Sequence, residues 1–467
     1  MHNRQESELL RTDMTKGSIW NHLIVFSLPI MIGNLMQQLY NTVDGIVVGN
    51  YVGEKALASV GTSASLMLLF LSFAIGLSGG TGIMSAQFYG AQQTGELKKA
   101  VSTSLILMLS VGSVLSVLGV VFSRPLIEGL LNVKDKEVLD SAVVYFSVCA
   151  GGFVFQFAYN AIASVLRATG DSKATLYFLM ISATLNLVLD LIFVIFFGWG
   201  VAGAAAATVF SQFVSAAVSA VYMFRKYEMF RFRRGEFVFD ASKCSICLRL
   251  GIPTTLQQCI ISFGNVLVQR VVNSFGPETM AAFIVGTRVE GYVLIPMHSL
   301  NMGLSTFTGQ NIGASKTDRV REGWRVNTII AAVTGTVLSA AVYLSAGRVA
   351  ALFGISGESM TQAVQFVRYM CIFLPMFSVY GSFQAVLQGS GDVLYASLCT
   401  LSSLIIRVAS AMFLAYTLEF GYRSIWTGIP VGWAVCTLFA AVRYIRGSWV
   451  SKSIVKNSTY ELSDTDT

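Results

Sequence analysis

Two carboxylates sit where a carboxylate is expensive. Asp44 ends a polar stripe, Gln37, Gln38, Tyr40 and Asn41, in the otherwise apolar stretch 20–48, and Asp190 follows Asn186 by four residues in the apolar stretch 174–196. On a helix that spacing puts the Asn186 amide and the Asp190 carboxylate on one face. An Asp near the centre of a membrane helix costs roughly 2.5–3.5 kcal/mol to insert, and neither stretch holds a Lys or Arg to pair with it. A residue kept at that cost either carries function or fixes helix packing as a neutral group. In one low-dielectric pocket neither burial nor like charge favours ionising both acids, so the pair would trade a proton, or a sodium ion, for a cationic molecule.

Other buried charges carry two readings each. Arg288 and Glu290 are two residues apart in the stretch 280–305 and so point to different faces, while Arg270 and Arg407 lie in two further stretches. Glu290 either lines a central cavity and attracts cations or meets an arginine from a neighbouring helix and braces the second half. Pro29, fifteen residues before Asp44, removes one backbone bond and permits a kink, either static or a hinge that responds to Asp44.

Soluble chemistry is poorly served. No Gly-Lys-Ser/Thr phosphate loop occurs, and the glycine-rich run 76–82 lies in an apolar stretch where glycine permits close helix packing. His2, His22 and His298 are scattered, and Cys244-x-x-Cys247 has no second pair, so no zinc site is expected. The chain is not expected to be an enzyme or to need a cofactor.

The elements that must position these residues are membrane helices. With 54% hydrophobic and 12% charged residues and a mean hydropathy of +0.64, the chain exceeds what a soluble core needs. Twelve apolar stretches reach membrane-spanning length, near 20–48, 56–82, 100–122, 138–162, 174–196, 201–224, 246–272, 280–305, 327–346, 360–386, 394–418 and 424–445. They also repeat. Gln87-Phe88-Tyr89-Gly90-Ala91 recurs as Gln310-Asn311-Ile312-Gly313-Ala314, offset by 223, and Val165-Leu166-Arg167-Ala168-Thr169-Gly170-Asp171 as Val386-Leu387-Gln388-Gly389-Ser390-Gly391-Asp392, offset by 221. Ser27-Leu28-Pro29 answers to Gly251-Ile252-Pro253. Because six is even, the halves enter the membrane in the same orientation. The expected fold is all-α, two six-helix bundles related by a pseudo-twofold along the membrane normal, an architecture suited to alternating access. The acidic pair is not repeated: the positions answering to Asp44, Asn186 and Asp190 are Leu267, Arg407 and Ala411. A fold kept in both halves with acids in only one points to function rather than folding.

The divisions follow: a tail 1–17, a lobe 18–224, a basic linker 225–245, a second lobe 246–447 and a tail 448–467. The leader carries both charge signs and lacks a small-residue cleavage site, so the first stretch is read as a retained helix rather than a signal peptide. Lys and Arg number 22 on the side of the linker and both termini, against 6 on the other, which predicts cytoplasmic termini in a multi-pass cell-membrane protein. The linker accounts for the net charge of +7 without nucleic acid; membrane lipid is its expected contact.

Several of these motifs together resemble the multidrug and toxic compound extrusion (MATE) transporters: Tyr40-Asn41-Thr42-Val43-Asp44-Gly45, Leu166-Arg167-Ala168-Thr169-Gly170-Asp171, Asn186-Leu187-Val188-Leu189-Asp190 and Gln310-Asn311-Ile312-Gly313-Ala314, in order over about residues 17–447. The chain looks closest to the branch named for the DNA-damage-inducible protein F. That resemblance implies secondary antiport, in which cationic or amphipathic small molecules leave the cytoplasm while H⁺ or Na⁺ enters; the chain is expected to be a monomer. It implies a first-half pocket of Asp44, Asn160, Asn186, Asp190 and Thr208, able to serve either ion. The acids that another branch carries in its second half are not matched, since Ile261 and Tyr380-Gly381-Ser382 occupy the nearest places. Two other readings stay open. A lipid-linked precursor flippase would show an arginine-rich cavity and extra helices, and a membrane receptor or scaffold would show a sizeable soluble domain.

Overall fold

The computed structural model describes residues 13–131, 135–233 and 235–455. The outer parts of both tails and Arg234 of the linker lie outside the described residues, as does the side chain of Asn41. Twelve long helical rods follow one another: α1 Ile19–Tyr51, α2 Glu54–Gly90, α3 Thr94–Val121, α4 in two pieces, Lys136–Gly151 and Phe153–Ala168, α5 Ser172–Asp190, α6 Gly200–Lys226, α7 Ala241–Asn273, α8 Pro277–Gly313, α9 Thr317–Ala351, α10 Gly357–Ser390, α11 Val393–Tyr416 and α12 Ser424–Ile445. No strand occurs among the described residues. With α4 counted as one span, eleven rods are long and apolar enough to cross a membrane. The remaining rod, α7, has the length at 33 residues but carries Lys243, Arg249 and Arg270 towards its ends. Each expected stretch coincides with one rod.

Three local features depart from uniform spans. First, α4 bends by 46° where Gly151 and Gly152 interrupt it, and an added Cβ at Gly152 would lie 2.7 Å from a methyl of Val209 in α6. Second, α5 passes directly from Asp190 into a π-helical turn, Leu191–Phe196, a distortion that often accompanies a functional residue. Third, α7 begins at Ala241, before the expected boundary near 246, because Asp240 caps it by accepting from the amides of Ser242 at 2.8 Å and Lys243 at 3.1 Å. Through Pro29, α1 continues as one helix.

The repeated Gly-Asp motif proves structural. Asp171 caps α5 through the Ala174 amide and accepts from Tyr222 at 2.8 Å, Tyr227 at 2.7 Å and Lys226 at 3.1 Å, tying α5 to the end of α6. Burial opposes its ionisation, but the Tyr227 hydrogen bond and the Lys226 charge outweigh it and hold the carboxyl below its usual range. Its mirror, Asp392, accepts from Arg443 of α12 at 2.7 Å.

The halves pack through α2, which lies against both α7 and α8, and through α1 against α8. The hydrophobic cores are not segregated. Leu23, Phe26 and Ile30 of α1 join a cluster with Leu304, Phe307 and Val386 of the second half, while Cys247 and Leu250 of α7 join the first half's core. The division at the linker therefore separates the sequence repeats more cleanly than the packing.

Candidate functional site

Four helices of the first half converge on the acidic pair, three of them with two polar groups one turn apart: Tyr40 and Asp44 on α1, Tyr145 and Cys149 on α4, and Asn186 and Asp190 on α5. Thr208 on α6 completes the group. Asn186 and Asp190 are almost fully buried, at 2% and 1% exposure. The carboxyl groups of Asp44 and Asp190 are in hydrogen-bond contact. Two carboxylates cannot donate to one another, so the contact is favourable only with a proton shared between them. One oxygen of each acid, Oδ1, is buried without a hydrogen-bond partner among the described residues.

The polar neighbours orient the pair. With its nitrogen towards Asp190, the Asn186 amide donates to Oδ2 at 2.8 Å and its oxygen accepts from the Thr208 amide at 3.1 Å. The reverse assignment faces oxygen to oxygen and leaves only Thr208 Oγ1 at 3.3 Å, so the first is the one the geometry selects. Thr208 also donates to the Ala204 carbonyl at 3.0 Å and meets the Tyr40 hydroxyl. Tyr145 and Cys149, both buried, contact each other beside Asp44.

Sequence reasoning passed over Tyr145 and Cys149, which look like ordinary apolar filling; their one-turn spacing was the available signal, and it does not show what they face. It also included two residues that the structure does not bring in. Asn160 donates to Gln156 on its own helix at 2.8 Å and bonds to none of the acids, because it lies beyond the α4 bend. Gln37 shares the α1 stripe with Asp44 but is exposed and makes no hydrogen bond among the described residues. In the second half, Glu290 lies near Arg407 of α11 without a direct ion pair, and Arg407 Nε is buried with no partner among the described residues. Arg288 is exposed on another face of α8. No group of three or more His, Cys, Asp or Glu side chains suited to a metal ion occurs among the described residues.

A doubled, twelve-rod helical bundle with an acid pair inside one half is the architecture of a membrane transporter. The chain belongs to the MATE family: the family model MatE matches residues 29–192 and 253–413. It is 29% identical over 462 residues to the probable multidrug resistance protein YoeA of Bacillus subtilis, covering 97% of this chain and 98% of that protein. A FAD transporter of Shewanella oneidensis is 26% identical over 374 residues, covering 78% of this chain and 80% of that one. Among solved structures, an outward-facing multidrug resistance MATE transporter of the MOP superfamily superposes with a TM-score of 0.88 at 25% identity, covering 95% of this chain and 99% of that one.

Proposed function

We propose that this chain exports cationic and amphipathic small molecules across the cell membrane in exchange for protons, with the Asp44–Asp190 pair as the coupling site. The observation that carries this reading is the contact between the two carboxyl groups, each with a further buried oxygen unpartnered. A proton shared by the pair neutralises one charge; its loss leaves two negative charges in a poorly solvated pocket, which attracts a cation. Binding of a positively charged cargo and binding of the ion are then mutually exclusive, the requirement for antiport. Tyr40, Asn186 and Thr208 fix the geometry, and Tyr145 and Cys149 close the pocket on the α4 side. Na⁺ is the other ion the carboxylate oxygens suit.

Alternating access supplies the rest. The halves meet closely at the linker-bearing end, where the ends of α2 and α8 cross. With the linker and both termini cytoplasmic, as the Lys and Arg distribution directs, this form is shut to the cytoplasm. No partner protein is required by this scheme, and the working unit is a monomer.

The test is uptake of a fluorescent organic cation into inverted vesicles energised by a pH gradient, with FAD as a second cargo because one relative is a FAD transporter. Accumulation of the cation by the native protein, lost in Asp44→Asn and Asp190→Asn, is the expected result. Undiminished accumulation by both variants overturns the coupling site, and transport of FAD alone overturns the cargo class.

A further inference from the structure

The repeated motif that first reveals the doubling has no part in the coupling site. Gln87 and Gln310, its mirror residues, are fully buried at 0% exposure in the last turns of α2 and α8. Each amide reaches into the opposite half. Gln87 Nε2 donates to the Gly389 carbonyl at the end of α10 at 3.0 Å, and Gln310 Nε2 donates to the Ala168 carbonyl at the end of α4 at 2.8 Å. Ala168 and Gly389 are themselves mirror positions, 221 apart. The two helix ends are in direct backbone contact there: a Cβ added to Gly90 or to Gly313 would lie 1.9 Å from the carbonyl oxygen of Gln310 or Gln87 respectively.

The amide oxygens are met by the chain's two terminal segments, each crossing to the other half. Met14 donates its backbone N–H to Gln310 Oε1 at 2.9 Å, and Ile454 donates its own to Gln87 Oε1 at 2.9 Å. The first strap is held further by second-half cations, Lys316 Nζ to the Thr15 carbonyl at 2.8 Å and Arg319 to the carbonyls of Lys16 and Gly17 at 3.0 and 2.8 Å. The second strap seats Val455, 5% exposed, in the first half's core. These straps are not repeat counterparts, since one precedes α1 and the other follows α12. Equivalent closure of both glutamines by unrelated segments is not required by the folding of either half.

We infer that Gln87 and Gln310, with the segments 13–17 and 453–455, form a two-part lock that holds the transporter shut at its linker-bearing end and must be released in every cycle. Each side-chain amide is satisfied at both ends only while the halves are together. Separation leaves a buried donor and acceptor to find water, and the terminal segments pull away from the half they cover. The inference rests on the alternating-access reading proposed above but not on the identity of the ion or the cargo.

The experiment measures the distance between genetically encoded spin labels at Thr94 and Asp318, at the starts of α3 and α9, in the full-length protein in nanodiscs without cargo or ion gradient. Gln87→Met and Gln310→Met keep the size and remove the hydrogen bonds. Each should raise the population of long distances about tenfold, and the double variant should raise it further. Ile454→Pro is the gentler arm: Ser453 has φ −50° and ψ 135°, which a following proline accepts, so that change takes away the N–H given to Gln87 and trims the partly buried Ile454 side chain without altering either glutamine. It should shift the same population while leaving the thermal midpoint near the native value. Unchanged distances in Ile454→Pro, or in both methionine variants, overturn the lock. Failure of the coupling-site reading would instead appear as undiminished pH-driven export by Asp44→Asn and Asp190→Asn, an outcome that leaves these distances and the lock untouched.

Discussion

At the scale of single residues, the acidic pair was legible because charge in an apolar stretch is costly and the Asn186–Asp190 spacing fixes a shared face. Its partners were less so. Tyr145 and Cys149 carry groups common in apolar cores, and only the convergence of α1, α4, α5 and α6 shows what they face. Asn160, taken from the family pattern, falls on the far side of the 46° bend in α4, a feature that the paired glycines signal but whose direction they do not. Substitution should separate these roles. Asp44→Asn and Asp190→Asn keep volume and polarity but cannot exchange a proton, so ion-driven uphill export should vanish while the protein stays monodisperse; vesicle uptake and size-exclusion profiles check both halves of that statement. Asn186→Ala leaves Asp190 without its 2.8 Å donor, at a cost of about 1–3 kcal/mol. A lowered thermal midpoint together with weakened export is expected. By contrast Asn160→Ala, which removes only a bond within its own helix, should leave proton-driven export near native rates.

At the scale of helices, the apolar pattern located every rod, and the errors lie at the ends. The stretches expected at 56–82 and 280–305 became α2 and α8, each 37 residues long and so about 55 Å, well beyond a hydrocarbon core of about 30 Å. Polar residues such as Gln87 and Gln310 end an apolar run without ending a helix, because the backbone remains hydrogen-bonded and the side chains are satisfied across the interface. Sequence periodicity carries no record of that distant partner. The consequence is testable at Gly90. Alanine suits a helix better than glycine by about 0.5–1 kcal/mol, so Gly90→Ala should stabilise an isolated α2. In the assembled protein its Cβ meets the Gln310 carbonyl at 1.9 Å, which backbone movement alone can relieve. Long Thr94–Asp318 distances should therefore become dominant in Gly90→Ala, with slower export and normal membrane insertion; a native distance distribution would show that the helix ends accommodate the methyl without parting.

At the scale of the whole molecule, orientation and driving ion decide what the fold accomplishes. Cys244 tests the first. It lies with Phe239, Arg249 and Leu394 on an open cavity of about 640 Å³ beside the linker, whereas Cys247 is fully buried and is no reporter. A membrane-impermeant thiol reagent should leave Cys244 unlabelled on intact cells and label it after permeabilisation; strong labelling from outside would reverse the assigned topology. The driving ion follows from what the cluster leaves free. Sodium requires several oxygen ligands at once, yet the Asn186 oxygen accepts from the Thr208 amide, the Thr208 hydroxyl is engaged with Ala204, and Asn160 turns to its own helix. Among the described residues of the cluster, the unpartnered oxygens are one on Asp44 and one on Asp190. Two carboxyl oxygens make a poor sodium cage and a sufficient proton site. Membrane potential drives either ion, at about 2.3 kcal/mol per charge per 100 mV, so voltage does not discriminate. A pH gradient imposed on sodium-free proteoliposomes, with the potential clamped, should therefore sustain export. Export that appears only with a sodium gradient, and survives collapse of the pH gradient, would mean that Asn186 and Thr208 release their present bonds to complete a sodium shell around the same two acids.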